Sequence, residues 1–90
     1  MTTVDIVTVH LVTSTTGRYL DLAEHEERLA RASQERADLA RAASRDAAFQ
    51  DTAEELARQA ADEHRRARAH FEAARRYQRL AVEHRESPDR

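Results

Sequence analysis

The chain is 90 residues long, carries a formal net charge of −2, and has 36 % charged residues. That length holds one domain at most, and the absence of cysteine excludes disulfide staples and thiolate metal sites. Eighteen of its apolar residues are alanines, which bury little area each, so so small a chain is expected to gain stability by self-association.

All 15 basic residues are arginine. With the abundant alanine, this points to a GC-rich bacterial genome, and the lack of lysine removes Schiff-base chemistry. The start, Met1-Thr2-Thr3-Val4-Asp5, has neither the basic region nor the apolar run of a signal peptide. No stretch approaches the ~18 apolar residues of a membrane span. The expectation is a cytoplasmic protein with no membrane partner.

Residues 3–13 are rich in β-branched side chains and predict a strand. Val7, Val9 and Leu11 fall on one face, and Val4, Ile6, Thr8, His10 and Val12 on the other. Both faces are substantially apolar, as in a strand covered on both sides. No second strand follows, so its backbone groups need a partner: another copy of the chain or a different protein. Val4, Ile6, Val7, Val9, Leu11 and Val12 are therefore the candidate strand-pairing residues.

Ser14-Thr15-Thr16-Gly17 predicts a turn, with Thr16 or a neighbour capping the helix that follows. From Arg18 to Glu86 there is no glycine or proline, and alanine, glutamate, arginine and leucine dominate. Two helices are predicted, 18–44 and 50–85, with a turn at Ser44-Arg45-Asp46 and a frayed tail at 86–90. Asp51-Thr52-Ala53-Glu54 has the form of a capping box with Asp51 as the cap.

Three features favour a hairpin over one continuous helix. The stripe Leu22, Leu29, Ala40, Ala43, Ala47 is offset by about one residue from Phe49, Ala53, Leu56, Ala60, Ala67, Phe71, Ala74, Ala81. Serine and aspartate near residue 45 compete with the helical backbone. Residues 1–63 hold seven arginines against thirteen acids, whereas 64–90 hold eight against four. Folding at Ala47-Ala48 sets Leu22 near Ala74, Leu29 near Ala67, and Leu39–Ala40 near Leu56–Ala57. It also sets Asp21, Glu24, Glu26 and Glu27 beside Arg68, Arg75, Arg76 and Arg79, and places Glu26 within reach of His70. The predicted fold is mainly α: an N-terminal β-strand followed by a long antiparallel, coiled-coil-like helical hairpin (β-α-α), with the strand paired between subunits. Leu22, Leu29, Leu56, Phe71, Tyr77 and Leu80 are the candidates for helix packing or oligomer contacts.

Chemistry-bearing patterns are sparse. Leu22, Ala61, Ala67 and Ala81 stand three residues before the helical histidines, so no Glu-x-x-His metal pair exists, and His-Glu-x-x-His is absent. Glu24, Glu26 and Glu27 form an acidic cluster, but two thin helices leave little room for a shielded pocket to tune its acidity. No catalytic residue, metal or cofactor is predicted. Arg65, Arg66, Arg68, Arg75 and Arg76 form a basic segment suited to phosphates or an acidic partner. The function expected is a non-enzymatic protein–protein interaction module: a homodimer or larger scaffold, adaptor or regulator. The alternative is a DNA-binding regulator or antitoxin-like protein using the N-terminal ribbon and the second helix. Its strand–helix–helix order is similar in outline to ribbon-helix-helix repressors, whose short helices meet at a glycine-containing turn. This chain has neither short helices nor such a glycine, and no family is identified.

Overall fold

The computed structural model describes residues 14–86. Two helices, α1 (Ser14–Asp46) and α2 (Gln50–Glu86), fold back on each other as a hairpin. The predicted strand, with Val4, Ile6, Val7, Val9, Leu11 and Val12, lies outside the described residues; of the predicted tail 86–90, Glu86 is the last residue of α2 and 87–90 lie outside them. No helix among the described residues is long and apolar enough to cross a membrane.

The helix boundaries differ from expectation in instructive ways. Ser14-Thr15-Thr16-Gly17 is the first turn of α1 rather than a loop. A helix can begin on serine and threonine, and a glycine so near its end costs little. At the other end α1 runs through Ser44-Arg45-Asp46, and the chain reverses at Ala47–Phe49. No described residue has a positive φ, so this reversal needs no glycine. The Ser44 hydroxyl donates to the Ala53 carbonyl at 2.7 Å, clasping the two helix ends. Asp51 is not the cap. It lies in the first turn of α2, where its charge favours the helix N-terminus.

The core is built from alanine. Ala23, Ala30 and Ala37 are buried on α1, and Ala60, Ala67, Ala74 and Ala81 on α2, each set recurring every seven residues. This is the spacing that keeps one narrow helix face turned toward a neighbour. Contacts across the seam define the register: Tyr19 stacks on Tyr77 with ring centroids 6.5 Å apart, Glu26 meets His70, and Ser44 meets Ala53. That register sets Ala23 against Ala74, Ala30 against Ala67 and Ala37 against Ala60, so methyl faces methyl.

Two parts of the sequence-based packing are corrected. In its first half the α1 stripe runs one residue later than predicted: Ala23 and Ala30 are buried, while Leu22 and Leu29 keep 40 % and 36 % of their surface exposed; further on Ala40 and Ala47 are half-buried as expected and Ala43 is exposed. Phe49, assigned to the α2 stripe, is 74 % exposed at the reversal. The physical reason is shape. Two helices joined by so short a connection lie close along their whole length, and alanine admits that approach where leucine would push them apart. The α2 stripe otherwise follows the prediction through Ala53, Leu56, Ala60, Ala67, Phe71, Ala74 and Ala81.

Candidate interaction surface

Polar side chains fill the gaps between the alanine layers. The His70 Nδ1 lies 3.0 Å from a Glu26 carboxylate oxygen across the seam, with the side chains 32 % and 19 % exposed. Ser33 is 2 % exposed, and its hydroxyl accepts a 3.0 Å hydrogen bond from Arg36. Arg36 also pairs with Glu63 of α2, which accepts a 2.9 Å bond from Arg66. No buried side-chain nitrogen or oxygen among the described residues lacks a partner. Two of these contacts cross the seam, Glu26–His70 and Arg36–Glu63, and supply register, because sliding one helix past the other would break both.

Glu63 sits where Arg36 of α1 and Arg66 of α2 converge. The hydrogen bond from Arg36, reinforced by Arg66, holds its carboxyl below the ordinary glutamate range against the opposing effect of desolvation. A carboxyl depressed in the folded state contributes stability above its unfolded pKa, and that contribution is lost as pH falls through the folded value. Glu63→Gln is therefore expected to lower the Tm at neutral pH. The gap to the unsubstituted protein should close below about pH 4. Melting curves across pH check this, and a gap that stays constant into acid would contradict it.

These cross-links also define the hairpin's two broad faces. Gln34 meets His64, and Glu27 accepts from Gln78, on one side. Arg36, Glu63 and Arg66 meet on the other. Leu22 and Leu29 precede Arg36 by two and one heptads, and Ala73 and Leu80 follow Arg66 by one and two. All four consequently share the Arg36 side, and Leu39, one turn beyond Arg36, extends it. Exposures there are 40 % for Leu22, 36 % for Leu29, 71 % for Leu39 and 38 % for Leu80. The opposite side holds Leu20 and half-buried Phe71.

The remaining predicted site residues divide. Leu56, Phe71 and Tyr77 are half-buried beside the seam. Arg65 pairs with Asp62, and Arg66 with Glu63, both within α2. Among the described residues, Arg68, Arg75, Arg76 and Arg79 form no ion pair, so the expected ladder to Asp21, Glu24 and Glu27 is not made. Glu26 instead meets His70, and Glu27 pairs with Arg31 of its own helix. Leu39, expected near Leu56 in the seam, is instead 71 % exposed, and sequence reasoning missed Arg36–Glu63 as a seam pair. The signal that locates the seam is the strict recurrence of alanine at 23, 30, 37 and at 60, 67, 74, 81.

A depression of about 430 Å³ is lined by Arg75, Gln78, Arg79, Val82 and Glu83. All five are exposed and belong to one helix, so it is an open flank rather than an enclosed site. No cluster of three or more potential metal ligands occurs among the described residues. No family model matches the chain, and no match was found among curated proteins or solved structures.

Proposed function

We propose that this chain is a non-enzymatic protein–protein interaction module, a homo-oligomeric coiled-coil scaffold, adaptor or regulator acting in the cytoplasm. The observation that carries this reading is the inverted distribution of apolar residues. The seam between the helices is alanine, while Leu22, Leu29, Leu39 and Leu80 share one outward face. Seven buried alanines contribute little hydrophobic free energy at ~25 cal/mol per Å². The larger side chains are left for another molecule to cover. Pairing of residues 3–13 between subunits belongs to the same reading, since an unpaired strand needs a partner. Light scattering on a sizing column, repeated across dilutions, tests it. The expected mass is a multiple of 10.3 kDa; a monomer at every concentration would refute self-association.

A second reading, a DNA-binding regulator or antitoxin-like protein, is favoured by one observation: Arg68, Arg75 and Arg76 pair with no acid among the described residues. Counterion release makes such binding steeply salt-dependent. Duplex binding that weakens with salt and is lost on neutralising Arg68, Arg75 and Arg76 would support it, and no binding at low salt would remove it.

A further inference from the structure

We infer that the Leu22–Leu29–Leu39 face of α1 is the docking surface for α1 of a second copy, running antiparallel about a two-fold axis between Ala30 and Arg31. This rests on the oligomeric reading above and names its surface.

The argument is self-complementarity. Leu22, His25, Leu29, Ala32, Arg36, Leu39 and Ala43 alternate at three- and four-residue steps, so they form a second continuous stripe beside the alanine seam. A two-fold axis between residues 30 and 31 sets Leu22 against Leu39 of the second copy and Leu29 against its Ala32. It repeats both layers by symmetry, as an isologous interface requires. Each leucine then meets a leucine or an alanine.

Charge selects the same arrangement. Arg28 and Glu35 flank the stripe on its outer edge, both are exposed, and neither forms an ion pair among the described residues. The antiparallel register brings Arg28 beside Glu35 of the second copy, twice per dimer. A parallel arrangement would set Arg36 against Arg36, since equivalent positions of the stripe then face each other. In the antiparallel one Arg36 faces His25, with its own charge already engaged by Glu63 across the hairpin seam. Leu80, on the same face of α2, lies at the end where Leu39 and Ala43 of the second copy arrive.

Cysteine cross-linking tests the register, in a chain with no native cysteine. The Leu22→Cys/Leu39→Cys double variant should form a covalent dimer on mild oxidation. Leu22→Cys alone should not, since the two copies of position 22 would lie roughly 25 Å apart along the helix. In the full chain without cysteines, Arg28→Glu should raise the dimer dissociation constant roughly three- to tenfold, and Arg28→Glu/Glu35→Arg should restore it. Helical circular dichroism confirms that each variant folds. Covalent dimers from Leu22→Cys alone, or an oligomer that neither cross-links in the double variant nor responds to the charge reversal, would overturn this surface while leaving self-association standing. A monomeric parent chain would overturn both.

Discussion

Replacing Ala30 by leucine is expected to cost about 1–3 kcal/mol of stability, the usual penalty for overpacking a close contact. Ala30 has no exposed surface, and Ala67 opposite it has 1 %. A leucine there has nowhere to turn. It must push α1 from α2, lengthening the Glu26–His70 and Arg36–Glu63 contacts on either side of it. In a chain this small, each lost kcal/mol lowers the Tm by roughly 4–8 °C. Ala61→Leu is the control: it adds the same side chain to the same hairpin, but Ala61 is exposed. It should leave the midpoint of chemical denaturation nearly unchanged. Equal stability of the two variants would mean that the helices do not meet at Ala30.

The double substitution Glu26→Leu/His70→Leu is expected to act in the opposite direction, raising stability by about 1–2 kcal/mol. The pair it replaces is hydrogen-bonded, but burying both polar groups carries a desolvation cost. Well-packed apolar residues of similar size recover that cost. The gain stays at the low end because His70 and Glu26 keep 32 % and 19 % of their side chains exposed. Each single substitution should destabilise, because it leaves one polar group half-buried without its partner. A double-mutant cycle by urea denaturation measures both signs. A double variant less stable than the parent would mean that the Glu26–His70 layer supplies net stability beyond register.

Much of the hairpin was legible from the sequence because it depends on local chemistry. The absence of glycine and proline from Arg18 to Glu86 predicts helix, and the helices observed extend past the predicted ends at 18 and 44. The reversal at Ala47–Phe49 falls at the fold point that the charge asymmetry of the two halves suggested, although the ion pairs used to argue for it are not the ones formed. The Glu26–His70 contact follows from that fold point.

The α1 face was misread for a physical reason. Ranking positions by hydrophobicity selects Leu22 and Leu29, but helix–helix distance selects Ala23 and Ala30, and in a closely spaced pair the second criterion prevails. Periodicity counted on alanine alone finds the seam, and the leucines one residue away then form a separate stripe. The same logic governs the interaction surface: Leu22, Leu29 and Leu80 were singled out as packing or oligomer residues, and only their exposure separates those two roles. Leu39 was set with Ala40 against Leu56 and Ala57 across the hairpin on the same hydrophobicity criterion, and its 71 % exposure places it outside the seam.

The central claim is that alanine closes the hairpin while the leucines outside it recruit another copy, so folding and association are linked. Thermal unfolding measured over a wide range of protein concentrations tests that linkage most directly. If association stabilises the fold, the Tm rises with concentration, as mass action requires when the folded state alone associates. A Tm independent of concentration would show that the alanine seam suffices by itself, and would contradict the account.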